Sequence, residues 1–280
     1  MRFMMLVKAS QGLRGGGSAR REDPVGDRQV QRGSGQGRRA ARGRRAPGEL
    51  QGARVRYSNG KFTVIDGPFA ETKELIAGFW LIQAKSREEA IEWAKRVPFQ
   101  EGEVEVRPLF ELPDFPVDPA EKPDGWREKE EQFRAAPPAR KPGTIRYMGI
   151  LKADRDTEAG VLPDEKFLSA MGAFFEEGVK AGVILSGEGL QPSSKGARVR
   201  YSGSKRTVID GPFAETKELI AGYAILQFTS KAEAIEWTKR FVQVDAPGRL
   251  GAESECEIRP FSELEDLLVG PAEKRDGGGR

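Results

Sequence analysis

One sixteen-residue segment, TVIDGPFAETKELIAG, occupies Thr63 to Gly78 and recurs without a change at Thr207 to Gly222, an offset of 144 positions. Two copies of one sequence are expected to take up two copies of one fold, so the repeat constrains the architecture before any element is assigned. The same offset pairs Gly52-Ala53-Arg54-Val55-Arg56-Tyr57-Ser58 with Gly196 to Ser202, Arg2-Phe3-Met4 with Arg146-Tyr147-Met148, and Glu89-Ala90-Ile91-Glu92-Trp93 with Glu233 to Trp237. After Arg96 and Arg240 the second copy runs eight residues longer, and register returns where Arg107-Pro108 matches Arg259-Pro260. The chain is a tandem duplication, read as a first repeat over 1–112 and a complete second repeat over 144–268. The Pro- and charge-rich stretch 113–143 reads as a linker, and 269–280 as a disordered tail.

Each copy reads as α+β. Met4 to Val7 and Met148 to Leu151 are short apolar runs suited to a buried strand. Leu168, Met171, Phe175 and Val179 recur at helical spacing after Pro163-Asp164, and Gly182 supplies a stop. Val199 to Tyr201 and Thr207 to Ile209 flank a Gly-Ser turn, which is a hairpin pattern, and Ile220 to Phe228 is a longer strand. Ser86-x-x-Glu89 and Ser230-x-x-Glu233 are capping boxes, opening helices expected to bury Ala90, Trp93 and Val97 or their counterparts. Val104 to Leu109 and Cys256 to Phe261 close the copies as strands. This order is the split βαβ plan of a ferredoxin-like sandwich.

Between Gln11 and Gln51 the repeat vanishes, although the spacing from Lys8 to Gly52 equals that from Lys152 to Gly196. The stretch holds ten Arg, ten Gly, no Lys and no aromatic residue, a composition expected to be disordered. With synonymous codons chosen for Gln11 to Asp27, reading one base later yields a run that tracks Arg155 to Ala170. The segment therefore reads as a reading-frame slip, restored near Gln51, that removes the first helix of copy one and leaves a sheet face underpacked. The alternative is an Arg-Gly segment that binds nucleic acid by counterion release, but it lacks the aromatic platforms such segments combine with charge. This stretch carries a net charge of +6 and the other 239 residues −3, so the formal +3 of the whole is weak support for a nucleic-acid partner.

Composition restricts the chemistry. The chain has no His and one Cys, which excludes imidazole general bases, Ser/His/Asp and Cys/His pairs, His-ligated zinc, internal disulfides and CxxC redox pairs. No metal site and no cofactor motif is read from the sequence. Met1 to Val7 is too short for a signal-peptide core and no run reaches the roughly 20 apolar residues of a membrane span, so a cytoplasmic protein without membrane contact is expected.

Asp66-Gly67-Pro68-Phe69-Ala70-Glu71-Thr72-Lys73-Glu74 and its duplicate Asp210 to Glu218 resemble the signature of the DGPF group of YCII-related proteins. The Arg-x-Arg-Tyr strand, the Glu-Ala-Ile-Glu-Trp helix and the final Glu-x-Arg-Pro strand fit as well. The resemblance implies a dimeric α/β-barrel in which two ferredoxin-like sheets pack face to face around a pocket, both halves coming from one chain or from two. It also implies kinship with lactone isomerases and dehydrochlorinases, for which a His/Asp centre has been proposed, and this chain lacks the His. Genes of this group often neighbour extracytoplasmic-function sigma factors, which implies a regulatory setting.

From the residues themselves, Asp66 and Asp210 are the candidate general bases, since a carboxylate beside a Gly-Pro bend and behind Val-Ile could sit at a desolvated pocket wall. Tyr57 and Tyr201 are candidate proton donors. Arg56, Arg200, Arg107 and Arg259 are candidates to hold an anionic ligand by bidentate contact, with Gly67, Pro68, Phe69 and Gly211, Pro212, Phe213 shaping its site. The bland reading of Asp-Gly-Pro is a turn in which Asp accepts backbone N–H bonds. Trp93 and Trp237 read as core or half-buried anchors, and Cys256, at the position matching Val104, as a packing residue. Three functions stand open: a small-molecule-binding or regulatory α/β-barrel, a cofactor-free isomerase or lyase acting on an anionic organic acid, and an interaction partner in sigma-factor control.

Overall fold

The computed structural model describes residues 1–8, 52–67, 76–111, 114, 141–213 and 219–261. The anomalous 11–51 segment, almost all of the linker and the tail lie outside the described residues. In the first repeat the elements are β1 (Arg2–Lys8), β2 (Ala53–Ser58), β3 (Lys61–Asp66), β4 (Ile76–Gln83), α1 (Arg87–Lys95) and β5 (Glu101–Pro108). The second repeat supplies β6 (Ile145–Lys152), the short α2 (Arg155–Glu158), α3 (Glu165–Lys180), β7 (Ile184–Gly189), β8 (Ala197–Ser202), β9 (Lys205–Asp210), β10 (Ile220–Phe228), α4 (Lys231–Asp245) and β11 (Ser254–Pro260).

Local signals account for the helices. Asp164 caps α3 by accepting the Phe167 N–H at 2.7 Å, and Gly182, at φ 64°, turns the chain out of it. Ser86 and Ser230 cap α1 and α4, each worth about 1 kcal/mol, by accepting the Glu89 and Glu233 N–H groups. The returning carboxylates reach one residue further back than a capping box requires, accepting the Lys85 and Thr229 N–H groups at 2.8 Å each. None of the described helices is long and apolar enough to cross a membrane.

Within the second repeat the antiparallel strand order is β11-β6-β10-β7, the order of the split βαβ plan. Its second strand is β7, which the sequence reading did not pick out. The β8–β9 hairpin is an addition to that plan, and it does not stay with its own repeat. Instead β8 pairs with β5 of the first repeat, Glu103 opposite Arg200 and Glu105 opposite Arg198. Reciprocally β2 pairs with β11, Glu255 opposite Arg56 and Glu257 opposite Arg54. The two repeats thus exchange hairpins, giving a five-stranded sheet β4-β1-β5-β8-β9 and a six-stranded sheet β3-β2-β11-β6-β10-β7.

The sheets face each other within the one chain. Between them Met4 and Leu6 of β1, Met148 and Ile150 of β6, Leu109, Leu190, Ile220 and Tyr223 form one buried cluster, with Phe79 and Phe261 packed against it. Where the resemblance places a pocket between the sheets, the described residues bring this apolar cluster together. At one corner the end of β5 meets the end of β7: Phe110 N–H donates to the Gly189 carbonyl at 3.0 Å and Gln191 N–H to the Pro108 carbonyl at 2.9 Å.

The outer faces differ. In the second repeat α3 and α4 pack side by side, Phe174 lying 5.8 Å from the Trp237 ring and Phe228 6.3 Å from it. Among the described residues the first repeat has only α1 over its sheet, burying Ala90, Ile91 and Ala94. Trp93, the counterpart of Trp237, is 49% exposed, and Trp80 on the edge strand β4 is 43% exposed. The expectation that α1 buries Trp93 fails: α1 buries Ala90, Ile91 and Ala94 and leaves the Trp93 ring outside. Neighbouring Phe3 and Met5 are nevertheless buried, beneath a cluster that includes Ile82, Val97 and Phe99.

Candidate functional site

Hairpin exchange decides where the repeated Asp-Gly-Pro-Phe motif lies. It carries the end of β9 across to the start of α1, so that Asp210 meets the Arg87 guanidinium, which also donates to the Gly196 carbonyl at 2.8 Å. By the same exchange Asp66 at the end of β3 meets Lys231 at the start of α4, at 2.7 Å. The carboxylates are 69% and 72% exposed for Asp66 and Asp210. Both residues end the outermost strands of their sheets, opposite Ala53 and Ala197, and their carboxylates stay open to solvent.

The rest of the second-repeat motif is built into the structure. Gly211 N–H donates to the Gly196 carbonyl at 3.3 Å, and a Cβ added at Gly211 would lie 1.9 Å from the Ser193 carbonyl oxygen. Only glycine allows that approach. The Gly211-Pro212 peptide is cis. Phe213 is buried, its N–H donates to Ser193 Oγ at 3.3 Å, and Arg198 lies over its ring at 3.9 Å. In the first repeat Gly67 N–H donates to the Gly52 carbonyl at 2.9 Å, while Pro68 and Phe69 fall outside the described residues.

The candidate arginines divide by burial. Arg107 is fully buried: it donates to Glu105 at 3.1 Å, to Glu158 at 3.3 Å and, through Nε, to the Gln191 carbonyl at 3.0 Å. Enclosed among these acceptors, it ties β5 to the second repeat. Arg259 is its counterpart, pairing with Glu257 and donating to the Ile76 carbonyl at 2.9 Å, as Arg107 does to Ile220 at 3.5 Å. Arg56 and Arg200 are more exposed and pair with Glu253 at 2.6 Å and Glu103 at 3.1 Å. The hydrogen bond and charge of Glu253 raise the Arg56 pKa, and the bonds from Ser58 and Arg56 lower that of Glu253.

Glu105 is the hub of a buried ion network. Burial alone would raise its carboxyl, yet Lys8, Arg107 and Arg198 hold it down at about 2. Lys8 approaches at 3.3 Å and Arg198 at 3.0 Å. The network joins β1 and β5 to the exchanged strand β8.

The candidate tyrosines and the cysteine are unavailable or ordinary. Tyr201 is buried, donates its hydroxyl to the Ala94 carbonyl, and is pushed up to about 12 by burial. It anchors α1 to β8. Tyr57 is half-buried, its ring 4.9 Å from Phe62. Cys256 is buried and pushed up to about 12 by burial, so it stays a thiol at neutral pH.

One open cleft of about 460 Å³ draws on both repeats. Met1, Phe3, Arg87 and Pro108 come from the first, and Gln191, Ser194, Lys195 and Asp210 from the second. Of the candidate residues it contains Asp210 alone. Arg87 and Lys195 were missed. The signal for Arg87 is in the sequence: a cation at the first position of a helix opposes the helix dipole, and both copies place one there, Arg87 and Lys231. Such a residue calls for a carboxylate partner. For Lys195, in an ordinary Ser-Ser-Lys-Gly stretch, no signal exists.

The profile of the YCII-related domain family matches residues 1–113 and again 145–262. The chain belongs to the YCII-related family, as two tandem domains. An uncharacterized protein of Rhizobium meliloti (strain 1021) is 47% identical over 60 residues, 20% of this chain. The match spans 48% of that relative's length.

Proposed function

We propose that this protein binds a small organic anion in the cleft between its repeats. The observation that carries the reading is the convergence there of Arg87 and Lys195, one from each repeat, beside an apolar wall of Met1, Phe3 and Pro108. Two cations against the single carboxylate of Asp210 favour an anion, and a volume of about 460 Å³ suits a metabolite-sized one. Arg87 presents a fork that matches a carboxylate. Among the described residues no carboxylate pairs with the Lys195 ammonium, which is exposed at the mouth.

Thermal-shift measurement of the full chain against a panel of monocarboxylates tests this. A binder gains stability by mass action, about 2.7 kcal/mol at a hundredfold excess over Kd. The gain should shrink in Lys195→Met. A panel with no shift at any concentration rejects the reading.

The position of Asp210 favours a second reading, that of a cofactor-free isomerase or lyase. A carboxylate beside an anion-holding guanidinium is the pair needed to draw a proton from the carbon next to a carboxylate or carbonyl. Retained binding with lost turnover in Asp210→Asn would support it, and unchanged turnover would remove it.

A further inference from the structure

The duplicated motif suggests two equivalent sites, one at Asp210 and one at Asp66. The residues at the aligned positions differ in sequence. The polar lining of the Asp210 cleft comes from the loop between β7 and β8, as Gln191, Ser194 and Lys195. At the offset that relates the copies, these positions are Pro47, Leu50 and Gln51 in the first repeat. The amide, the hydroxyl and the cation are thus replaced by a proline, a leucine and a neutral amide. The helix-opening residue differs too, since Lys231 stands where the Asp210 cleft has Arg87, and an ammonium lacks the planar fork of a guanidinium. The Asp210 cleft holds two cations, Arg87 and Lys195; at the aligned positions the sequence of the other repeat has one, Lys231.

We infer that the tandem chain carries one competent anion site, at Asp210, and that the Asp66 position is a structural relic of the second. This rests on the binding reading above and adds to it a stoichiometry and a specificity residue. Lys195 is the group that makes the difference, holding the ligand's carboxylate at the mouth while Arg87 stays partly committed to Asp210 and Gly196. The expected ligand is a monoanionic organic acid with an apolar body, because among the described residues one cation without a carboxylate partner, Lys195, faces a wall of Met1, Phe3 and Pro108.

Isothermal titration of the full chain with benzoate and with hexanoate distinguishes the outcomes. The inference expects one site per chain, affinity lowered about tenfold or more by Lys195→Met and by Arg87→Met, and affinity within about twofold of the parent for Lys231→Met. All three side chains are partly or fully exposed, and unfolding curves of the variants confirm that each folds. Two sites per chain, or a loss in Lys231→Met equal to that in Lys195→Met, overturns the asymmetry while leaving the binding reading intact. Binding of neither acid by the parent overturns both.

Discussion

Arg87 and Asp210 stand 123 residues apart in sequence, in different repeats, and form an ion pair at the start of α1. Lys231 and Asp66 repeat the relation with the roles of the two copies reversed, at 2.7 Å. A motif that looks like a catalytic signature in the linear sequence is therefore first a fastening between halves. The Gly and Phe that follow Asp210 seat the hairpin end on Ser193 and under Arg198.

Replacing Gly211 by Ala tests that fastening. The new Cβ would meet the Ser193 carbonyl oxygen at 1.9 Å, backbone that cannot give way as a flexible side chain can. A loss of about 3 kcal/mol in denaturant unfolding is expected. A loss below about 1 kcal/mol would show that the hairpin end is not held there.

Glu105 should make the protein acid-sensitive in a defined window. Its carboxyl is held at about 2 in the folded state, below the value of about 4.3 in an unfolded chain. The stabilisation is complete above the unfolded value and disappears as pH falls through the folded one. It amounts to about 3 kcal/mol. Glu105→Gln should be less stable at pH 7 and should lose less than the parent between about pH 4.3 and pH 2. Parallel stability curves would contradict this.

The two equivalent tryptophans should behave unequally. Trp237→Ala removes a ring packed against Phe174 and Phe228, for an expected cost of about 3 kcal/mol. Trp93→Ala removes a ring that is 49% exposed, and less than about 1 kcal/mol is expected. Equal costs would mean that Trp93 is covered in solution.

Cutting the chain once at an engineered protease site between 115 and 140 should leave both halves associated. Each donates a hairpin to the other's sheet, β8 to β5 and β2 to β11. Co-elution of the two fragments in size-exclusion chromatography is expected, and separate elution without denaturant would argue against the exchange.

What could be read from the sequence was what is decided locally. The capping serines, Asp164, Gly182 and the two-residue hairpin turns fix their elements within four or five residues, and all were legible. β7, with two glycines and a Glu in six residues, offers no apolar alternation and was not. Hairpin exchange was hidden for another reason. β2 and β8 share the sequence ARVRYS, so pairing within a repeat and pairing between repeats bring the same residues together. Exposure then follows from the partner: Arg107 and Tyr201 are enclosed by the other repeat, while Asp66 and Asp210 are left outside. All of the candidate cleft except Asp210 escaped, and Arg87 and Lys195 for the same cause, since they meet only after the exchange.

Exchanged hairpins also change what a mutation can do. In a symmetric pair of identical subunits every substitution is made twice, and both sites rise or fall together. Here each half contributes strands to the other's sheet, so the less perfect half is carried by its neighbour's edge instead of being discarded. The first repeat could depart from the pattern over 11–51 and still hold β11 through β2. One copy is left free to drift while the other keeps the pattern of the family.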